Sequence, residues 1–185
     1  MLHSLSPSAR RAILQTARTA VENEVADRVP ETAKTAADLP ELDVSGLFVT
    51  LHVSGALRGC IGFLELQGSF EKTLREVAMR AATADIRFPP LDPDELKDMT
   101  VDVTLLGPLM PLEEPTDFTI GPHGLVLEYA GRRGLLLPQV AVDHNWNKAQ
   151  FLEGLCRKTM VPTDAWEKPG AVVYRFEGMV IKEEE

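Results

Sequence analysis

The reading of the fold turns on Leu47-Phe48-Val49-Thr50-Leu51-His52-Val53-Ser54-Gly55-Ala56-Leu57-Arg58-Gly59-Cys60-Ile61-Gly62-Phe63. Leu47, Val49, Leu51 and Val53 alternate with Phe48, Thr50 and His52, the period-two pattern of a strand with one buried face. Ser54-Gly55 supplies a turn, and residues 57–63 return as a second strand. Strands joined this way are antiparallel.

Outward from this hairpin, helical spacing takes over on both sides. Ser6 is placed to cap a helix with Pro7 at its first position, and Ile13, Ala17, Ala20, Val21 and Val25 form its apolar stripe. Pro30 is expected to end that helix, and residues 31–42 read as a linker or long loop. Ser69 is placed to cap a second helix over 70–84, with Phe70, Leu74, Val77, Ala78 and Ala81 on its apolar face. Phe88-Pro89-Pro90 must break it. Asp92-Pro93-Asp94-Glu95 has the form of a capping box and predicts a short helix leading into a strand with Val101, Val103 and Leu105 on one face.

Residues 107–122 are rich in Pro and Gly and are a candidate seam between two lobes of a single domain spanning 1–185. A second hairpin is expected around Gly131, from strands at 124–129 and 134–137. Asn147 and Gln150 suit another capping box, for a helix that Pro162 would stop. The last strand, about 171–181, has two competing apolar faces, Val172, Tyr174, Phe176 and Met179 against Val173 and Val180. Hairpins separated by helices predict an α+β fold with antiparallel or mixed sheets and flanking helices.

The bulk numbers narrow the function classes. Twenty-eight Asp and Glu against nineteen Lys and Arg give a net charge of −9, opposite to what phosphate backbones attract. Nucleic acid is therefore not an expected partner. The two cysteines, Cys60 and Cys156, make neither a disulfide framework nor a close metal pair, so no metal or cofactor is expected. No run approaches the roughly 20 apolar residues of a membrane span. The expected compartment is the cytoplasm, with both thiols reduced.

Chemistry concentrates at Arg58-Gly59-Cys60-Ile61-Gly62. Unbroken alternation would put Leu57, Gly59, Ile61 and Phe63 toward the core and Arg58, Cys60 and Gly62 on the other face. A guanidinium beside a thiol favours the thiolate, and its fork could hold a carboxylate or phosphate. Two glycines within a strand point to close approach by a ligand or another backbone. Against this, free cysteine is among the most buried residue types and often acts as a small hydrophobe. Asp85 and Arg87 form a second candidate on the loop before Pro89-Pro90, as acid–base group or local ion pair. His123 and His144 are possible bases for Cys60, at spacings that are not diagnostic.

Leu57-Arg58-Gly59-Cys60-Ile61-Gly62 resembles the signature hexapeptide of the AMMECR-one domain family. The resemblance continues through Asp85-Ile86-Arg87-Phe88-Pro89-Pro90-Leu91, His123-Gly124-Leu125, Arg133-Gly134-Leu135-Leu136-Leu137-Pro138-Gln139-Val140 and Leu155-Cys156-Arg157-Lys158. It implies an α+β fold of two unequal lobes with a cleft, near which Arg58, Cys60, Asp85 and Arg87 gather. Prokaryotic members resemble protein A of the AmmeMemoRadiSam system, which implies a Memo-like protein and a radical-SAM enzyme as partners. Two functions follow as expectations. One is a ligand-binding or partner module, with Arg58, Gly59, Gly62, Arg87 and Gln139 as binding residues. The other is an enzyme acting on a small anionic substrate, with Cys60 as nucleophile or redox thiol, Arg58 as activator, and Asp85 or His123 moving the proton.

Overall fold

Strands β1 (Gly46–Val53) and β2 (Ala56–Phe63) form the expected hairpin, antiparallel from Leu47↔Phe63 to Val53↔Ala56. Ser54 and Gly55 both have positive φ, 51° and 79°, the geometry of a two-residue turn that matches the twist of its strands. The structure, a computed structural model, describes residues 5–26, 39 and 41–183. The proline stop at Pro30 and nearly all of the loop 31–42 fall outside the described residues.

The chain divides into two compact units: residues up to Leu106 with Met179–Glu185 in the first, and Gly107–Gly178 in the second. In the first, helices α1 (Pro7–Val25) and α2 (Phe70–Thr83) start at the Ser6 and Ser69 caps. A 3₁₀ helix, Pro93–Asp98, opens with the full Asp92/Glu95 capping box and leads into β3 (Met99–Leu106). The strand order is β2-β1-β3 and then the end of β7 (Val172–Lys182), which leaves β2 an edge strand. Leu47, Val49 and Leu51 of β1 and Val101, Val103 and Leu105 of β3 are fully buried. They join Ile13, Ala17 and Val21 of α1 and Leu74, Val77 and Ala78 of α2 in one core. Each of the buried valine, leucine and isoleucine side chains contributes about 1.5–3 kcal/mol.

The second unit holds a two-residue strand β4 (Met110–Pro111), the hairpin β5 (His123–Tyr129) and β6 (Arg132–Leu136), and helices α3 (Pro138–Asp143) and α4 (Lys148–Thr159). Its core gathers Leu125, Leu127, Phe151, Leu152, Leu155 and Cys156, with Phe118 and Phe151 edge to face at 5.9 Å. The Asn147/Gln150 capping box of α4 is present. Pro162 does not stop this helix. It ends at Thr159, because Met160 turns left-handed (φ 58°) and the Val161 N–H reaches back to the Cys156 carbonyl. The competing faces of β7 both find burial, since Val173 belongs to the second core while Met179 and Ile181 belong to the first. Helices and antiparallel strands together make an α+β protein. Among the described residues, no helix is long and apolar enough to cross a membrane.

Candidate functional site

The edge strand β2 carries the site. Edge strands leave backbone N–H and C=O groups unpaired and need a device to cover them. Here the device is a pair of side chains from the loop after α2. The Cys60 N–H donates to Asp85 Oδ2 at 2.8 Å, and Arg87 Nη2 donates to the Cys60 carbonyl at 3.4 Å. Both groups therefore point away from β1, which makes Thr50↔Cys60 the non-hydrogen-bonded kind of pair, in which side chains sit closest. The Thr50 hydroxyl accordingly donates to Cys60 Sγ at 3.3 Å.

Asp85 accepts four hydrogen bonds: one from Cys60 and three from Arg87, through its backbone N–H, Nε and Nη2. It is 7% exposed. The Arg87 hydrogen bond, opposed by burial and reinforced by the Cys60 and Arg87 amides, holds its carboxyl far below the usual carboxylate range. Arg87 is raised in turn, chiefly by Asp85 and also by the Cys60 thiol beside it. The guanidinium next to the sulfur is thus that of Arg87.

Arg58 is engaged by other groups, and the expected strict alternation along β2 needs correction. The register slips between Leu51 (opposite Gly59) and His52 (opposite Leu57), so Arg58 is the extra residue of a bulge and the alternation breaks there. Leu57, expected in the core, is 42% exposed for the same reason. Arg58 Nε and Nη2 grip both oxygens of Glu95 at 2.8 Å, while Nη1 and Nη2 donate to the Pro89 and Pro90 carbonyls at 2.8 and 3.1 Å. The fork that was to hold a substrate anion holds Glu95, whose carboxyl is lowered first by Arg58 and then by the Asp92 amide.

Glycine spaces are also filled from within. A Cβ on Gly59 would overlap the Ala81 carbonyl of α2, and one on Gly62 would overlap the Phe48 ring. Close backbone approach is the reason for the first glycine, and an aromatic lid for the second. Asp85, expected to move a proton, is a fixed anion fully engaged by donors.

The structure therefore gathers Arg58, Gly59, Cys60, Gly62, Asp85 and Arg87 in the first unit, whereas His123 and Gln139 belong to the second. His123 Nδ1 accepts the Thr119 N–H at 2.9 Å, which places the neutral ring's proton on Nε2 and leaves no lone pair for base catalysis. Burial, aided by Arg175, lowers its pKa. Gln139 is exposed in the first turn of α3, and His144 stacks on Trp146 at 4.8 Å. Sequence reasoning missed Glu95 as the partner of Arg58. It also missed Thr50, which the register sets against Cys60, and His52, whose Nδ1 lies 3.9 Å from Asp102 Oδ2.

This arrangement can be set beside known proteins. A profile of the AMMECR1 family matches residues 14–181. A protein of Methanothermobacter thermautotrophicus is 39% identical, over 97% of both chains. One of Methanosarcina acetivorans is 38% identical, over 98% of this chain and 94% of its own. The crystal structure of an uncharacterized protein from Pyrococcus horikoshii superposes with a TM-score of 0.83 at 30% identity, covering 97% of this chain and 94% of its own. With nearly its whole length matched, the chain belongs to the AMMECR1 family.

Proposed function

We propose that this chain is a cytoplasmic partner-binding module that docks on a Memo-like protein in a grouping with a radical-SAM enzyme. One observation carries the reading: Ile86 is fully exposed, 101%, between Asp85 and Arg87, which are both pinned to the edge of β2. Phe88 follows with Arg87 over its ring at 5.5 Å, and then the exposed Pro89 and Pro90 whose carbonyls Arg58 holds. Aromatic residues and arginine are enriched at interfaces. A tip already fixed in place loses little further freedom on docking. The motif's charges are spent on that fixing, which leaves little for acid–base work.

The test is calorimetric titration of the purified chain with the Memo-like protein of its own host. Ile86→Asp should weaken binding at least ~10-fold and leave the unfolding midpoint unchanged, as expected for a central apolar contact. Wild-type affinity in this variant, or no binding by the wild type, defeats the proposal. A second reading, an enzyme using the Cys60 thiol on a small anionic substrate, is favoured by Thr50 and Arg87 at the sulfur. On that reading Cys60→Ser abolishes function in the host while partner binding persists.

A further inference from the structure

A different part of the first unit gathers more cations than carboxylates among the described residues. Arg10, Arg11 and Arg18 lie with Leu14 on one stripe of α1 and, with Ile181, Lys182 and Glu183 of the chain's end, line a cavity of about 550 Å³. That volume falls within the range of small-molecule sites. Four cations and one carboxylate line it, in a protein whose net charge is −9. The carboxylate is already taken: Glu183 binds Arg18 through both oxygens, and Arg18 also donates to the Met99 carbonyl. Among the described residues, Arg11 and Lys182 have no carboxylate within ion-pair distance, and Arg10 has only the Leu5 carbonyl.

Placement adds to the cost. Arg10 and Arg11 stand near the N-terminal end of α1, where the helix dipole is positive, and the first turn contains no acidic residue. Cations there repel both the dipole and one another. Such local conflict is what functional sites retain. The walls are not purely ionic, since the exposed Pro7 supplies apolar surface beside the charges, above the nearly buried Leu14.

We propose that this groove binds a small organic anion, a phosphate ester or carboxylate with an apolar body. Its acidic group would lie between Arg10, Arg11 and Lys182, and its apolar part against Pro7 and the arginine stems. The bound anion would supply the negative charge that the first turn of α1 lacks. The proposal is independent of the docking tip at Ile86.

The experiment is calorimetric titration of the full chain with octyl phosphate, using inorganic phosphate and octanol as head-only and body-only probes. Octyl phosphate is expected to saturate one site and to bind at least ~10-fold more tightly than either fragment. Arg11→Gln with Lys182→Gln, two exposed positions with no ion pair among the described residues, should weaken it by ~10-fold or more without shifting the unfolding midpoint. No saturable binding, affinity unchanged in the double variant, or inorganic phosphate binding as tightly as octyl phosphate would each overturn it. Vesicles of phosphatidylglycerol provide the remaining arm. Co-sedimentation with them, without uptake of free octyl phosphate, would assign the patch to a membrane surface instead and sink the small-molecule site.

Discussion

Hairpin β1–β2 and hairpin β5–β6 turn through the same kind of residue pair, Ser54-Gly55 and Ala130-Gly131, all four with positive φ. Each also has a glycine in its return strand where a helix arrives. Gly59 admits the Ala81 carbonyl near the end of α2, and Gly134 admits Thr159 at the end of α4. From there they differ. The register of β5–β6 runs unbroken from Leu125↔Leu136 to Tyr129↔Arg132, and its arginines make a half-exposed pair with Glu128 and one bond to the Met160 carbonyl. The register of β1–β2 slips at Arg58, and two carboxylates and two arginines fasten a loop to the strand's outer edge. Glycine in the return strand therefore belongs to the architecture, since both hairpins have it. The clamp of Arg58, Asp85, Arg87 and Glu95 is additional, and that is why it is the better pointer to function.

The largest expected effect tests the shared part. Gly59→Ala sets a Cβ against a backbone carbonyl, which can give way only if α2 moves. It should cost about 3 kcal/mol in urea unfolding, the upper end for overpacking. Gly134→Ala meets first the Thr159 hydroxyl, a side-chain group that can yield at the cost of its bond to the Leu155 carbonyl, and then the Thr159 Cα, which cannot. About 2 kcal/mol is expected there. If Gly59→Ala were tolerated at below about 1 kcal/mol, the glycine would have to be kept for something other than helix approach.

The next test separates the hairpins by charge. Asp85→Asn leaves Arg87 without its anion and should cost about 2 kcal/mol at neutral pH, the scale of hydrogen bonds to a charged group. Because the folded carboxyl titrates below its unfolded value, its stabilisation is present above the ordinary carboxylate pKa and is lost as pH falls beneath it. The gap between wild type and variant should therefore shrink from pH 7 toward pH 3 in parallel urea titrations. Glu128→Gln, on the other hairpin, removes a half-exposed pair but keeps an oxygen for the Tyr174 hydroxyl, and should cost about 0.5 kcal/mol. Equal costs for the two variants would erase the distinction between clamp and surface pair.

Much of this difference could not be seen in the sequence, for reasons that particular residues make clear. Caps and periodicity are local, so the starts of α1, α2 and α4 and both turns were legible from Ser6, Ser69, Asn147, Gly55 and Gly131. Helix α3 was not, because six residues after Leu137 are too few to show a period. The end of α4 was misjudged because Met160 takes a left-handed conformation usually signalled by glycine. The bulge at Arg58 depends on how two strands pair, which alternation along one of them does not reveal. The grouping of Arg58, Cys60, Asp85 and Arg87 came from family resemblance. Their roles came only with the structure, which moved the guanidinium at the thiol from Arg58 to Arg87.

The last test asks whether the clamp is one device or two. Glu95→Gln keeps an oxygen for the Asp92 capping box and leaves Arg58 its two proline carbonyls, so about 1 kcal/mol is expected. Asp85 and Glu95 share no hydrogen bond, but they fasten the two ends of the same loop to the same strand. If the loop moves as a unit, releasing one end weakens the hold on the other. The double variant Asp85→Asn/Glu95→Gln should then depart from additivity by at least about 0.5 kcal/mol. A strictly additive pair would mean that each end is fastened alone. Ile86 would then owe its rigidity to Asp85 and Arg87, with Glu95 serving only the 3₁₀ helix it caps.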